Sequence, residues 1–253
     1  MEMRFDGKVV LVTGASGGIG AAVARGFADA GATVVVHFAT GEASARSVVE
    51  SLAATGGDAF ALHADLTDPA GPASLVAAVR ERCGRLDVLV NNAGGQVRRS
   101  TVADTDDALY DDLVALNLSS VFRACRAAIP VIAAGGGGSI VNVSSVSARN
   151  GGGGGSVVYS ATKAAVSTLT RGLAKELVPL GIRVNAVAPG LIDTAFHAAT
   201  PRSTWDAVVT GIPMGRAGRP DEIVGPVMFL ASESAASYVN GQSLEVNGAQ
   251  YSP

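Results

Sequence analysis

Tyr159 and Lys163 stand four residues apart in the segment Tyr159-Ser160-Ala161-Thr162-Lys163. Residues at this spacing project from the same face of a helix, so the phenol and the ammonium would lie side by side. A free tyrosine titrates near pH ~10, and a neighbouring cation lowers that pKa by favouring the phenolate. The pair is therefore a candidate acid/base for exchanging a proton with a substrate oxygen.

A glycine-rich turn, Thr13-Gly14-Ala15-Ser16-Gly17-Gly18-Ile19-Gly20, follows the apolar run at residues 9–12 and precedes a helical apolar pattern. Glycine lets the backbone approach a phosphate closely, and a helix N-terminus offers free N–H groups at the positive end of its dipole. Between a strand and a helix, the turn predicts a site for the pyrophosphate of a dinucleotide.

The end of the second strand-like run bears on the choice of dinucleotide. A carboxylate there would bind the ribose hydroxyls of NAD and repel a 2′-phosphate. The run ends Val36-His37-Phe38-Ala39-Thr40, without a carboxylate. We therefore expect NADP(H) to be favoured over NAD(H), with Thr40, His37 or Arg46 as candidate phosphate contacts. Gly18 argues against this preference, because an NADP-binding protein can carry arginine at that place.

The elements that must position these residues alternate along the chain. Helical periodicity fills most of the intervals between short β-branched runs, as at 19–30 and 44–54. The strand-like runs lie at 9–12, 33–36, 59–62, 86–90, 140–143, 184–188 and 244–246. This pattern predicts one α/β domain over residues 1–253, with a doubly wound parallel sheet. Ligands bind such sheets beyond the carboxyl ends of the strands, where the candidate residues fall.

Composition argues against several classes of partner. The net charge of −3 and the pI near 5.6 offer no cationic excess for nucleic acid or for a membrane surface. No uninterrupted apolar run reaches the ~18 residues that span a bilayer, and residues 1–8 do not resemble a secretory signal, so we expect a cytoplasmic protein. The charged fraction of 16% is low and the mean hydropathy of +0.33 is high, which favours a homo-oligomer.

Some conspicuous residues are interpreted as structural. The glycine runs at 135–138 and 151–155 are expected to be flexible loops, although the second lies between two candidate catalytic residues. The scattered histidines and the two cysteines lack the spacing of metal ligands, so no metal site is expected.

Taken together and in order, the motifs resemble those of the short-chain dehydrogenase/reductase family, from about residue 9 to about residue 250. They are Thr13-Gly14-x-x-x-Gly18-x-Gly20, Asn91-Asn92-Ala93-Gly94, Asn117, Ser145, Tyr159-x-x-x-Lys163 and Pro189-Gly190. The resemblance implies a single Rossmann domain, a homotetramer, and hydride transfer between nicotinamide and a carbonyl or alcohol. Because all four catalytic positions are present, a relative that binds the cofactor without turnover is disfavoured.

The resemblance also implies the catalytic roles. Tyr159 would exchange a proton with the substrate oxygen, and Ser145 would hydrogen-bond that oxygen. Lys163 would lower the pKa of the phenol and bind the nicotinamide ribose, while Asn117 would hold a water linking Lys163 to solvent. Ser145 is preferred to Ser144 because, in the family pattern, the second of two strand-ending serines points into the site.

The cofactor contacts follow from the same resemblance. Asp65 would take the adenine amino group, and Thr194 would bind the carboxamide together with Ile192. Asn91 and the backbone at Ala93 and Gly94 would line the crevice. The full expected set is Gly14, Ser16, Gly18, Ile19, Gly20, His37, Thr40, Asp65, Leu66, Asn91, Ala93, Gly94, Tyr159, Lys163, Pro189, Gly190, Ile192 and Thr194.

The substrate-side loops resemble reductases of keto or aldehyde sugar acids, such as alginate-derived 4-deoxy-5-hexoseulose uronate. The shared stretches are Asn92-Ala93-Gly94-Gly95 followed by arginine, the glycine run at 151–155, Asp193-Thr194-Ala195-Phe196-His197-Ala198, Gly211-Ile212-Pro213-Met214-Gly215-Arg216 and Asn247-Gly248-Ala249-Gln250-Tyr251. Gln96 departs from this pattern, because the relatives carry an aliphatic residue there. A lid over the substrate is expected at about 190–216.

Three residues are candidate substrate contacts: Gln96, Arg99 and His197. Arg99 or Arg98 would bind a substrate carboxylate through a fork of N–H donors. Alternatively, both arginines are solvated or pair with the acidic segment 104–107.

Two other substrate classes remain open. The chain resembles 3-oxoacyl carrier-protein reductases less closely, and its expected docking segments at 133–138 and 178–181 are neutral, which disfavours an acidic carrier protein. An alcohol or polyol dehydrogenase working oxidatively is the other alternative, since one acid/base pair serves both directions.

Overall fold

A seven-stranded parallel sheet forms the centre of the computed structural model, which describes residues 3–195, 200 and 202–252. The strands are β1 (Val9–Val12), β2 (Thr33–Phe38), β3 (Asp58–His63), β4 (Val88–Asn91), β5 (Gly138–Val143), β6 (Ile182–Pro189) and β7 (Ser243–Val246). Their order in the sheet is β3-β2-β1-β4-β5-β6-β7. The strand order reverses between β1 and β4, which opens a crevice at their carboxyl ends.

Helices cover both faces of this sheet. They are α1 (Gly18–Asp29), α2 (Glu42–Ala53), α3 (Gly71–Cys83), α4 (Asp107–Val114), α5 (Ser120–Ala134), α6 (Ser147–Asn150), α7 (Val157–Glu176), α8 (Arg202–Thr210), α9 (Asp221–Ala231) and α10 (Glu233–Ala236). A π-helical segment, Ala115–Ser119, joins α4 to α5, and a 3₁₀ turn, Val178–Leu180, follows α7. The helices α1, α2 and α9 pack on one face, and α3, α5 and α7 pack on the other.

The strands are apolar because they are buried from both sides. In β1, Val10 packs with α1 and α9 while its neighbour Leu11 packs with α3 and α5, and both are fully buried. Consecutive β-branched residues therefore suit a strand that has no solvent face. The predicted doubly wound parallel sheet is confirmed, with most strands longer than predicted by one to three residues.

One helical stretch, Asp107–Ala134, is long and apolar enough to cross a membrane when judged only by length and composition. It spans α4, the π-helical segment and α5. Its α5 part packs against α3 and against strands β4 and β5. The core helix of a sheet-based domain meets the same length and composition criteria, so this stretch is explained by its place on the sheet.

Candidate active site

The glycine turn between β1 and α1 is held by side chains from two neighbouring strands. The N–H of Gly14 donates to Nδ1 of His37 at 3.0 Å. Nδ2 of Asn92 donates to the carbonyl oxygens of Thr13 at 2.8 Å and Gly14 at 3.0 Å. Gly14 and Gly18 have φ values of +62° and +55°, which L side chains rarely adopt. The protein alone therefore fixes the shape of the turn.

The residues after Gly14 fit a dinucleotide pyrophosphate. Gly17 is extended ahead of α1, and a Cβ added there would meet nothing within 4 Å. Within the described part of the chain, the N–H groups of Ser16 and Gly17 have no hydrogen-bond acceptor. Free amides at the start of a helix attract anions. The free amides of Ser16 and Gly17 therefore suit the pyrophosphate predicted at this turn.

His37 does not occupy the cofactor position predicted for it. Its side chain is buried, Nδ1 accepts from Gly14, and Nε2 lies 3.0 Å from the carbonyl oxygen of Ala64. Because Nδ1 accepts a hydrogen bond, Nε2 carries the proton, and burial lowers the pKa of His37 so that the ring stays neutral. The prediction that His37 contacts a 2′-phosphate was wrong, because β2 continues to Phe38 and keeps His37 inside the sheet.

The other candidates for that phosphate lie just beyond β2. Thr40 is exposed in the turn before α2. Arg46, on the first turns of α2, is exposed and pairs with Glu42 at 2.6 Å. The carboxylate that follows β2 is therefore that of Glu42, which lies four residues beyond the end of the strand and is neutralised by Arg46.

Asp65 and Leu66 follow β3 at the same edge of the sheet. Oδ1 of Asp65 accepts from the N–H of Thr67 at 2.8 Å and from its hydroxyl at 2.7 Å. These hydrogen bonds lower the pKa of Asp65, so the exposed carboxylate is ionised and can accept from an amino group. Leu66 is buried beneath it.

The side chain of Asn91 points into the core rather than into the crevice. Its Nδ2 donates to Oδ1 of Asn142 at 2.8 Å and to Sγ of Cys125 at 3.3 Å. The prediction of a cofactor contact was therefore wrong for this side chain.

Asn92 and Thr13 support the site, and sequence reasoning missed this role for both. The hydroxyl of Thr13 accepts from the N–H of Asn92 at 2.9 Å and of Ala93 at 3.0 Å. Together with the Asn92 side chain, these bonds join the turn after β4 to the glycine turn after β1. Strand alternation could have found Asn92, because consecutive residues at the end of β4 must face opposite sides.

The carboxyl end of β6 comes to the same crevice and carries four predicted residues: Pro189, Gly190, Ile192 and Thr194. The carbonyl of Pro189 accepts from the N–H of Val146 at 2.9 Å. Ile192 is buried and forms a β-bridge with Gly218. A Cβ added to Gly18 would lie 3.4 Å from Cγ2 of Thr194, so Thr194 borders the glycine turn.

Tyr159, Ser145 and Lys163 meet where β5 and α7 converge. Tyr159 and Ser145 are joined by a side-chain hydrogen bond. Nζ of Lys163 is buried, donates to the carbonyl of Val143 at 2.9 Å, and lies 5.8 Å from the centre of the Tyr159 ring. The two side chains share one face of α7, as their spacing predicts.

Asn117 reaches the same place from the π-helical segment. Its Oδ1 accepts from the N–H of Gly95 at 2.9 Å, and its Nδ2 donates to the carbonyls of Gly95 and Leu113 at 2.8 and 3.0 Å. A Cβ added to Gly94 would lie 2.8 Å from Oδ1 of Asn117 and 3.0 Å from Nζ of Lys163. Asn117 and Lys163 therefore meet at Gly94, and Lys163 in turn neighbours Tyr159, which is hydrogen-bonded to Ser145.

Burial dominates the protonation of this cluster. It lowers the pKa of Lys163 to about 8 and raises the pKa of Tyr159, an effect that the hydrogen bond with Ser145 partly offsets. The pKa of Tyr159 is thus shifted in the opposite direction to the one expected from the neighbouring ammonium. The phenol keeps its proton at neutral pH and is prepared to donate it.

Ser144 is excluded from the serine role by its contacts. Its buried hydroxyl lies 2.8 Å from that of Ser167 and donates to the carbonyl of Lys163 at 2.9 Å. It therefore anchors β5 to α7, whereas Ser145 is the serine that hydrogen-bonds Tyr159.

The candidate substrate residues Gln96 and Arg99 both contact the glycine run at 151–155. Nε2 of Gln96 donates to the carbonyl of Gly155, and Nη1 of Arg99 donates to that of Gly154, each at 3.1 Å. Arg98 instead lies 3.8 Å from Asp106 in an exposed ion pair. The third candidate, His197, lies outside the described residues.

The two segments expected to dock a carrier protein lie far from this site. The N–H of Gly138 donates to the carbonyl of Gly181, so the segments at 133–138 and 178–181 meet where β5 and β6 begin. This is the amino-terminal edge of the sheet, opposite the crevice. Their neutral charge therefore says nothing about an acidic partner at the active site.

Comparison with known proteins agrees with this architecture. Residues 14–249 match the family model described as enoyl-(acyl carrier protein) reductase. The 3-oxoacyl-[acyl-carrier-protein] reductase FabG of Escherichia coli is 39% identical over 98% of this chain and 99% of its own length.

Two solved structures are similar over nearly their whole lengths. One, from Beutenbergia cavernae with bound NADP, is described as an NAD(P)-dependent gluconate 5-dehydrogenase; it is 37% identical, covers 99% of both chains and has a TM-score of 0.92. The other is the NADH-dependent reductase A1-R′, responsible for alginate metabolism, which is 38% identical, covers 98% of both chains and has a TM-score of 0.91.

Proposed function

Because the chain belongs to the short-chain dehydrogenase/reductase family of NAD(P)-dependent enzymes, we propose that it reduces the carbonyl of a keto or aldehyde sugar acid, or oxidises the matching alcohol. The observation that carries the proposal is the environment of Arg99. Among the described residues, Nη1 of its guanidinium has hydrogen-bond acceptors, whereas its Nε and Nη2 have none. Free N–H donors on an oriented guanidinium match the two oxygens of a carboxylate.

The acid/base chemistry falls to Tyr159 and Ser145. When bound, a nicotinamide cofactor would supply the hydride for reduction of the carbonyl carbon, or take it up in the reverse direction. In reduction, the Tyr159 hydroxyl gives its proton to the carbonyl oxygen, and Ser145 donates a hydrogen bond to the same oxygen as negative charge develops there. In oxidation, Tyr159 takes the proton back from the alcohol.

Lys163 keeps this exchange electrically favourable. When Tyr159 gives up its proton, the phenolate that forms lies in a buried site where an uncompensated charge is costly. The nearby ammonium offsets that charge, and its pKa near 8 lets it return a proton to the phenol at moderate cost. Asn117 holds the Gly95 backbone, which keeps the floor of the site next to Lys163 in place.

For the cofactor we favour NADP(H) over NAD(H). Support comes from the absence of a carboxylate at residues 37–40 and from Thr40, whose side chain is exposed just beyond the end of β2. Arg46 already neutralises the nearest carboxylate, Glu42. The similar solved structures include one with NADP bound and one described as NADH-dependent, so they support either dinucleotide.

The proposal also covers assembly and the lid. We expect a cytoplasmic homotetramer, with exposed apolar side chains such as Phe122 in its contacts. Residues 190–216 are proposed as the substrate lid. The N–H of Asp193 donates to the carbonyl of Gly218 at 2.8 Å, and that of Gly218 donates to the carbonyl of Leu191 at 2.9 Å. The chain entering the segment is therefore hydrogen-bonded to the chain that follows it.

A 3-oxoacyl carrier-protein reductase is the second candidate, favoured by the 39% identity to the E. coli enzyme. A panel assay separates the candidates: 5-keto-D-gluconate, a simple ketone and an acetoacetyl thioester, each with NADPH and with NADH, followed by loss of nicotinamide absorbance. We expect the highest kcat/KM for the sugar acid with NADPH. A preference for the thioester would replace the proposal by the second candidate, and activity confined to polyols with oxidised cofactor would indicate a dehydrogenase.

A further inference from the structure

The loop after β4 and the loop before α7 are joined to each other. The N–H of Ser100 donates to the carbonyl of Gly155 at 3.1 Å, and that same oxygen accepts from Nε2 of Gln96. Nη1 of Arg99 donates to the carbonyl of Gly154 at 3.1 Å and to the hydroxyl of Ser156 at 2.7 Å. We name residues 96–100 and 154–156 the cross-loop clasp. Four hydrogen bonds make it one structural unit.

Within the clasp, the contact from Arg99 to Ser156 is the shortest hydrogen bond and the only one between two side chains. A charged donor at 2.7 Å from a hydroxyl oxygen makes a strong hydrogen bond. Arg99 is itself exposed, whereas Ser156 is only 3% exposed. The exposed guanidinium of Arg99 is therefore held by a buried side chain, that of Ser156.

Ser156 is in turn held by the start of α7, the helix that carries Tyr159. Ser156 lies directly before α7, and its carbonyl accepts from the N–H and the hydroxyl of Ser160, both at 2.8 Å. The direction of the Arg99 guanidinium is thus set by the first turn of α7, and Tyr159 lies on the same turn.

Glycine at 155 is needed for this approach. Gly155 has a φ of +73°, and a Cβ there would lie 3.0 Å from the N–H nitrogen of Ser100 and 3.2 Å from Cβ of Arg99. A side chain would push the two loops apart. Gly154 and Gly155, which the sequence placed in a flexible loop, therefore also form a contact surface for the loop after β4.

We propose that Ser156 is a positioning residue for substrate specificity. By holding Nη1 of Arg99, it aims the remaining guanidinium donors at a carboxylate and fixes that carboxylate relative to Tyr159, so that acids with the right separation between carboxylate and carbonyl are selected. This inference rests on the proposed function, because it requires an acid substrate. Its physical basis is preorganisation: a guanidinium already held in place loses less conformational freedom when the substrate binds.

The test compares 5-keto-D-gluconate with L-sorbose, the neutral ketose in which CH₂OH replaces the carboxylate. For Ser156→Ala we expect KM for the acid to rise roughly fivefold with kcat nearly unchanged, and KM for L-sorbose to stay the same. Ser100→Ala is the matched control, because within the described ranges its hydroxyl donates only to the carbonyl of Thr101, and its backbone N–H remains in the clasp. Ser156→Thr, which keeps the hydroxyl, should restore most of the affinity.

The outcomes distinguish the positioning role of Ser156 from the proposed acid substrate. If Arg99→Ala raises KM for the acid alone but Ser156→Ala does not, the positioning role is overturned and the proposed function stands. If Arg99→Ala affects both substrates equally, or if the enzyme does not reduce 5-keto-D-gluconate, the acid substrate and the positioning role fail together. In the double variant, Ser156→Ala should add nothing to Arg99→Ala. An additive effect, or an equal loss for both substrates from a protein with unchanged thermal stability, would also overturn the role.

Discussion

The two sides of the crevice are built differently. On the cofactor side, the glycine turn is held by buried or half-buried partners, namely His37, Asn92 and Thr13, and left-handed backbone at Gly14 and Gly18 falls on glycine. On the substrate side, exposed Arg99 and half-buried Gln96 contact carbonyls of a glycine run. The left-handed residue of the loop that carries Arg99 and Gln96 is a valine, Val97.

The difference indicates where specificity resides. Buried hydrogen bonds between strands bind the dinucleotide site into the core, so a change there costs stability as well as function. Exposed side chains on loops can change without disturbing the sheet, and loops on a rigid scaffold are where binding residues concentrate. The architecture of the cofactor side therefore does not identify the substrate, and the substrate side must be tested directly.

The largest expected effect is on turnover, at Tyr159, where the cofactor side and the substrate side meet. Tyr159→Phe removes the proton donor while keeping the ring, so turnover should fall by roughly a thousandfold or more. Cofactor binding, measured by the fluorescence of the reduced nicotinamide, should be nearly unchanged. The neighbouring serines provide a matched pair: Ser145→Ala should lower kcat strongly, whereas Ser144→Ala should not. Near-normal turnover of the phenylalanine variant would contradict the acid/base role.

The second-largest expected effect is on the pH dependence of stability. It arises from Lys163, whose pKa burial lowers from 10.5 to about 8. Between these values the unfolded chain binds the proton and the folded protein does not, so the free energy of unfolding rises with pH across this window. The rise due to Lys163 should be on the order of 3 kcal/mol. Denaturant unfolding of the wild type and of Lys163→Met, compared from pH 7.5 to 10.5, isolates it. A difference that stays flat with pH would show that Lys163 is not desolvated.

A smaller effect distinguishes structure from recognition on the cofactor side. His37→Ala leaves the Gly14 N–H and the Ala64 carbonyl without partners and should lower the free energy of unfolding by roughly 2–3 kcal/mol. The ratio of kcat/KM for NADPH and NADH should not change, because the ring does not reach the phosphate. Thr40→Ala should do the reverse, lowering the ratio without affecting stability. A changed ratio in His37→Ala would restore its predicted role.

The sequence predicted the parts of the molecule that depend on local pattern. Periodicity located every strand, and the spacing of Tyr159 and Lys163 placed them on one helix face. It could not predict that β2 runs two residues past 36, because tertiary pairing with β3 decides where a strand ends. That difference alone moves His37 from the crevice into the sheet.

The remaining misses have the same origin in tertiary contacts. Asn91 and Asn92 are identical in type, and only the direction of the last β4 residue decides which one faces the core. The pKa of Tyr159 depends on burial, which the spacing to Lys163 does not reveal. The clasp joins residues more than fifty positions apart, and no local pattern indicates that Gly154 and Gly155 form a contact surface.

The smallest expected effect tests whether the substrate side stores strain. Val97 has a φ of +50° and is 56% exposed, so its side chain gains little from burial while its β-branch disfavours the left-handed backbone. Such a conformation costs of the order of 1–3 kcal/mol and persists when its surroundings enforce it, here Gln96 and Arg99 in the clasp. Val97→Gly removes the strain but adds flexibility to the unfolded chain, so a net gain of about 1 kcal/mol in stability is expected.

Val97→Ala keeps the Cβ and should give a smaller gain, which makes it the matched control for the backbone effect. The same two variants, assayed on 5-keto-D-gluconate, should show unchanged KM as long as the hydrogen bonds of the clasp hold the loop. If Val97→Gly melts at a lower temperature than the wild type, the loop is not strained. The contrast between a relaxed cofactor side and a strained substrate side would then be lost, although the clasp itself would remain.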